Sequence, residues 1–192
     1  MQHKIIFMGT PQFSVSSLEI LVKSPYKISC VYTQPPKESK RGYKLNSSPV
    51  QKSAEHLNLA VRNPSSLKND EEFDYFKNLN PDIVVVVAYG QLIPKSFLDI
   101  PKYGFVNIHA SLLPKWRGAA PIERAIMNLD KETGVSIMRI TEKLDFGPVM
   151  KKIKIDITSY DTSGKISEQL SKIGSENIVE AIDDIFANEA KF

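Results

Sequence analysis

Ile83 is followed by four consecutive valines, Val84 to Val87, with no polar residue among them. Uninterrupted β-branched residues suit a strand buried on both faces, because a strand with one wet face alternates apolar and polar side chains. Both faces of such a strand must be covered, which is the situation of a mostly parallel central sheet with helices on both faces. The run therefore predicts a central strand over 82–88 and an α/β fold.

The flanking sequence fits that frame. Lys4 to Met8 is an apolar run ended by Gly9-Thr-Pro11, and Ser14 to Ser24 carries Val15, Leu18, Leu21 and Val22 on one helical face before Pro25. A second strand is predicted over Lys27 to Thr33, helices over Pro49 to Leu57 and Glu71 to Leu79, and a short strand at Ala60-Val61. Alternating strand and helix is the signature of parallel strands joined by crossover helices. Further on, strands are predicted over Phe105 to His109, Val135 to Thr141 and Val149 to Ile157. Pro121 suits the first turn of a helix whose Ile122, Ala125, Ile126 and Leu129 share a face. The segment Gly164 to Asn188 reads as helical, with an interruption expected near Gly174.

Several function classes are disfavoured. A dinucleotide site needs several glycines after the first strand so that backbone can approach a pyrophosphate, and this turn has only Gly9. Cys30 is the single cysteine, which excludes an internal disulfide framework and a multi-cysteine metal site. His3, His56 and His109 are not at ligand spacing with one another, so no metal is expected. Apolar runs are too short for a membrane helix and no targeting segment is visible, so the expectation is a cytoplasmic protein with no membrane partner. No long apolar surface stripe is evident, which predicts a monomer.

Charge is unevenly distributed. Between Gln34 and Ser48 lie Lys37, Lys40, Arg41 and Lys44 against Glu38, and the resulting +3 equals the net charge of the whole chain. A basic loop on an otherwise balanced body suggests an anionic partner.

Chemistry is most concentrated between Asn107 and Asp145. Residues two apart in a strand point to the same side, so Asn107 and His109 project together as their strand ends. A loop with Pro114, Trp116, Arg117 and Gly118 follows, then the helix at Pro121. A strand running into a polar loop and a helix is where open α/β sheets hold ligands. Ser111 lacks the Gly-x-Ser-x-Gly turn of an exposed nucleophile. Arg117 could stack on Trp116 at the surface, or position the phosphate or ribose of an acceptor, the reading preferred here.

Asn107-x-His109, Ser111-Leu-Leu-Pro114 and Leu144-Asp145-x-Gly147 resemble the formyltransferases that use 10-formyltetrahydrofolate. Trp116-Arg-Gly-Ala-Ala-Pro121 is similar, within that group, to the methionyl-tRNA formyltransferase family, and the likeness extends from Phe7-Met-Gly-Thr-Pro-Gln-Phe13 to Thr162-Ser-Gly164. The resemblance implies a Rossmann-like formyltransferase fold over residues 1–192 as one catalytic domain. It implies formyl transfer from 10-formyltetrahydrofolate to the α-amine of initiator methionyl-tRNA, with Asn107, His109 and Asp145 as the catalytic group. It places the folate against Ala88, Tyr89 and Gly90 and along Ser111, Leu112, Leu113 and Pro114. It assigns the basic loop, with Lys37, Lys40, Arg41, Gly42 and Lys44, to the tRNA acceptor stem, and Arg117 is grouped with it.

The chain ends at Phe192 where that family continues into a tRNA-binding barrel, so the barrel is expected to be absent. That absence keeps alive an enzyme for a small amine, an amino sugar or glycinamide ribonucleotide, and a non-catalytic folate or RNA module.

Overall fold

The computed structural model describes residues 2–38 and 45–192, which fall into two compact units, Met1–Phe105 and Val106–Phe192. The first contains β1 (Lys4–Gly9), a 3-10 turn at Gln12–Ser14, α1 (Val15–Lys23), β2 (Lys27–Tyr32), β3 (Lys37–Glu38), β4 (Leu45–Asn46), α2 (Pro49–His56), β5 (Val61–Arg62), α3 (Asp70–Leu79), β6 (Ile83–Val87) and α4 (Lys95–Leu98). Its main strands are parallel in the order β5-β2-β1-β6. Every residue of β6 is buried, as its unbroken apolar run requires.

Local chemistry sets the element ends. Ser48 caps α2 by accepting a hydrogen bond from the Gln51 amide at 2.9 Å, with Pro49 in the first turn. Asn69 caps α3 through the Glu72 amide at 2.7 Å. Glu72 is itself buried and takes two hydrogen bonds from Arg62, from Nε at 3.2 Å and Nη2 at 2.5 Å. Gly9 is needed where β1 ends: a Cβ there would lie 2.8 Å from Ser14 Cβ and 3.0 Å from the Val87 carbonyl, which accepts Ser14 Oγ. The turn is thus filled by the protein's own side chains. Cys30 is fully buried in β2, and burial pushes its thiol up to about 11, so it packs as a small protonated hydrophobe.

The stretch 34–46, expected to be a long polar loop, carries a short antiparallel pairing at its ends: Lys37 opposes Asn46 and Glu38 opposes Leu45. Lys40, Arg41, Gly42 and Lys44 lie outside the described residues.

The second unit contains the last four residues of β7 (Phe105–His109), then α5 (Pro121–Met127), β8 (Glu132–Arg139), β9 (Val149–Asp156) and α6 (Ser163–Phe186). Its strands are antiparallel in the order β7-β8-β9. Two expectations are corrected. Helix α6 runs without interruption through Gly174, because that glycine is a contact point: a Cβ would meet Ile108 Cγ2 at 2.8 Å and Val135 Cγ1 at 3.7 Å. Leu129 does not share the apolar face of α5. The helix stops at Met127, Leu129 adopts a φ of 55°, and its side chain is 80% exposed. Among the described residues no helix is long and apolar enough to cross a membrane.

Candidate active site

The pairing of β7 with β8 sets Asn107 opposite Met138, Ile108 opposite Ile137 and His109 opposite Ser136. Ile108 faces Gly174 of α6, so the alternation of the strand sends Asn107 and His109 to the other side of the sheet. Both are nearly buried, at 9% and 7% exposure. Among the described residues the Asn107 amide makes no side-chain hydrogen bond, and it is a ready donor beside the imidazole.

The chain leaving His109 is pinned from β8. Ser136 Oγ donates to the Ser111 carbonyl at 2.7 Å and accepts from the Leu113 amide at 3.0 Å. Ser111 Oγ donates to the Lys115 carbonyl at 2.6 Å and is fully buried, so it holds the turn and does not act as an exposed nucleophile. Leu112 crosses over Gly134, where a Cβ would collide with it and with the Ile153 carbonyl. Pro114, after a cis peptide bond, is exposed.

Trp116 is the next fixed point, with a φ of 57°. Its carbonyl lies 3.0 Å from His109 Nε2. A carbonyl can only accept, so this contact keeps a proton on Nε2 and turns Nδ1 toward whatever lies on the other side of the ring. The indole Nε1 donates to Asp130 Oδ2 at 2.7 Å, while Asp130 Oδ1 receives Asn128 Nδ2 at 2.7 Å and Lys115 Nζ at 2.8 Å. Burial by itself would raise the Asp130 carboxyl, but the hydrogen bonds from Lys115, Asn128 and Trp116 outweigh it and hold the group below the usual carboxylate range.

Asp145 supplies the other side of the ring. Its Oδ2 is 3.8 Å from His109 Nδ1, and both side chains are about nine-tenths buried. Nδ1 therefore faces a carboxylate oxygen, which can only accept. Asp145 stands in the loop between β8 and β9 with a φ of 52°, and Gly147 lets that loop fold back where a Cβ would strike the Arg139 carbonyl. The Gly118 amide donates to Asp145 Oδ2 at 2.7 Å, and Arg117 Nε donates to the Asp145 carbonyl at 2.8 Å. Arg117 lies over the ring of Phe146, not Trp116, at 3.5 Å from the centroid, and Lys143 Nζ is 3.8 Å from the same centroid.

The fold therefore brings His109 and Asp145 together across a long sequence interval and sets Asn107 on the same strand face as His109. Elsewhere, in the first unit, Ala88 and Gly90 take φ values of 47° and 84°, conformations that redirect the chain as β6 ends. The Tyr89 carbonyl accepts Thr10 Oγ1 at 2.7 Å and the Gly90 carbonyl accepts Gln34 Nε2 at 2.8 Å. Lys37 is exposed on β3.

Ser136 and Asp130 were not singled out by sequence reasoning, and Gly118 was named only as a loop residue. A serine inside the apolar run Val135-Ser-Ile-Met138 is a usable signal for the first, and an acid at the foot of a helix is a weak one for the second. Gly118 acts through its backbone N–H, which leaves no side-chain trace. Among the described residues no three His, Cys, Asp or Glu side chains are disposed to hold a metal ion.

With this geometry in hand, comparison with known proteins is specific. The formyl transferase family model matches residues 3–182. A methionyl-tRNA formyltransferase of Pelagibacter ubique (strain HTCC1062) is 55% identical over 193 residues, covering 100% of this chain and 62% of that protein. One from Jannaschia sp. (strain CCS1) is 50% identical over 95% of this chain and 60% of its own length. The chain thus spans about three fifths of the curated relatives it matches. Among solved structures, a phosphoribosylglycinamide formyltransferase from Anaplasma phagocytophilum aligns with a TM-score of 0.80 at 16% identity, covering 100% of this chain and 91% of that one. A formyltetrahydrofolate deformylase from Pseudomonas syringae pv. tomato aligns with a TM-score of 0.75 at 19% identity, over 95% and 61% respectively. At those identities the structural likeness speaks for the fold, a Rossmann-like α/β arrangement. The sequence match goes further: this chain belongs to the formyl transferase family.

Proposed function

We propose that the protein transfers the formyl group of 10-formyltetrahydrofolate to the α-amine of methionine on initiator tRNA, in the cytoplasm. The observation that carries this reading is the His109–Asp145 pair with the Asn107 amide, which has no hydrogen-bond partner among the described residues, on the same strand face, in a chain about half identical to methionyl-tRNA formyltransferases.

The chemistry asks little more of the protein. The amine nitrogen attacks the formyl carbon and the carbonyl π pair moves onto oxygen. The C–N10 bond then breaks, N10 gains a proton and the attacking nitrogen gives one up. Asn107 donates a hydrogen bond to the developing oxyanion, and His109 donates a second from a ring N–H, which for Nε2 means exchanging the Trp116 carbonyl for the substrate oxygen. Removing one such donor typically costs about 10²–10³ in turnover. Asp145 accepts the amine proton, directly or through a water. This set of donors fits a formyl oxygen without a metal.

The same reading assigns the backbone of Ala88, Tyr89 and Gly90, and separately the turn from Ser111 to Pro114, to contacts with the folate. Lys37, Lys40, Arg41, Gly42 and Lys44 belong to the tRNA contact, where cations neutralise phosphates and binding weakens with salt.

Incubating the protein with 10-formyltetrahydrofolate and methionyl initiator tRNA, with formylmethionine and free formate quantified separately, tests the reading. Formylmethionine is the expected product, and formate alone would contradict it. Neutralising Lys40, Arg41 and Lys44 together should weaken tRNA use and flatten its salt dependence.

A further inference from the structure

Three consecutive residues each hold one member of the proposed catalytic pair. The Trp116 carbonyl engages His109 Nε2 at 3.0 Å, Arg117 Nε donates to the Asp145 carbonyl at 2.8 Å, and the Gly118 amide donates to Asp145 Oδ2 at 2.7 Å. This segment is in turn anchored beneath by the Trp116 indole on Asp130 and laterally by Arg117 against Phe146. Two of the residues involved, Trp116 and Asp145, sit at φ values of 57° and 52°. Such conformations disfavour L-residues, and here the contacts just named hold them in place.

Arg117 is the side chain on which the arrangement turns. Its Nε is spent on a backbone carbonyl and its guanidinium plane lies on an aromatic ring, so one N–H donor and the flat face of the group are tied to the Asp145 loop. A residue serving only as a phosphate contact would need neither of these ties. From this, and resting on the catalytic reading above, we infer that Arg117 is a positioning residue: it clamps the Asp145 loop so that the carboxylate stays on His109 Nδ1, and it acts on the chemical step and not on tRNA affinity.

The two roles separate in substitutions. As a phosphate contact, Arg117 is replaceable by lysine, which retains the charge. As a clamp it is not, because lysine has neither the Nε–H nor the planar group that lies on Phe146. Displacing a catalytic group by about 1 Å can cost on the order of 10²-fold in rate. Arg117→Ala and Arg117→Lys should therefore each lower kcat by about 10-fold to 100-fold, with KM for the tRNA within about twofold of the parent.

The experiment measures kcat and KM for methionyl initiator tRNA in the parent, Arg117→Ala, Arg117→Lys and Asp145→Asn, with thermal unfolding of each. Parent-like kcat in Arg117→Lys, or a raised tRNA KM at unchanged kcat in Arg117→Ala, overturns the clamp. Should Arg117→Ala fail to fold, the Arg117→Lys result decides alone. Loss of turnover in Asp145→Asn with full turnover in Arg117→Lys would reject the clamp while leaving the catalytic reading intact. Full turnover in Asp145→Asn would reject the catalytic reading itself.

Discussion

Strands β6 and β7 are both five residues long and buried along their whole length, yet they are built from opposite materials. β6 is Ile-Val-Val-Val-Val, and each side chain recovers the free energy of leaving water with no polar group to satisfy. β7 is Phe-Val-Asn-Ile-His, and it takes an amide and an imidazole into a protein interior where each costs free energy unless hydrogen-bonded. His109 meets that cost with one hydrogen bond, at the Trp116 carbonyl, and its other nitrogen faces the Asp145 carboxylate at 3.8 Å. Asn107 meets it only in part, since its amide has no partner among the described residues. On the proposed reading, the strand that carries such a cost at its carboxyl end, where a scaffold strand carries none, is retained for chemistry.

Substitutions that act on one strand and spare the other would sharpen that contrast. Asn107→Ala should lower kcat by about 10²–10³, roughly 2.7–4 kcal/mol of transition-state stabilisation, with little change in chemical-denaturation midpoint. Equal loss of stability and activity would show the amide to be structural. Ile83→Ala should do the reverse, destabilising by about 2–5 kcal/mol through lost burial and a cavity, with kcat of the folded fraction unchanged.

The back of β7 gives a smaller effect. Gly174→Ala forces a methyl against Ile108, and overpacking of about 1–3 kcal/mol is partly offset by alanine's helix preference of about 1 kcal/mol. A net destabilisation near 1 kcal/mol is expected, and a more stable variant would mean that Ile108 yields freely.

The smallest effect concerns the anchor under Trp116. Asp130 has a lowered folded-state carboxyl, so its contribution to stability is present above the unfolded carboxylate range and is lost as pH falls through the lower folded value. The stability gap between parent and Asp130→Asn should be constant near neutrality and close only at acid pH, below the ordinary aspartate range near pH 4. A gap that closes already between about pH 6 and 7 would place the dependence on another group.

The contrast between the strands is largely legible in the sequence, and the reasons are physical. Period-two alternation by itself puts Asn107 and His109 on one face, and the valine run identifies β6 by its lack of alternation. Asp145 is reachable only through family resemblance, because nothing local reports that a distant loop folds onto an imidazole. What stays hidden acts through the backbone: the Trp116 carbonyl and the Gly118 amide exist at every residue and carry no identity. Gly174 misleads for a related reason. Glycine in a helix lowers propensity, which suggests a break, but here its missing side chain admits Ile108, and packing overrides propensity. Leu129 fails as a core position because periodicity cannot see that the helix has already ended at Met127.

The most direct test compares His109→Ala with the parent in two quantities at once, turnover of 10-formyltetrahydrofolate with methionyl initiator tRNA and the unfolding midpoint. Turnover should fall by at least about 10²-fold while the fold persists, since the imidazole serves the reaction more than the core. Parent-like turnover, whatever happens to the midpoint, would contradict the assignment of β7 as the strand that carries the chemistry.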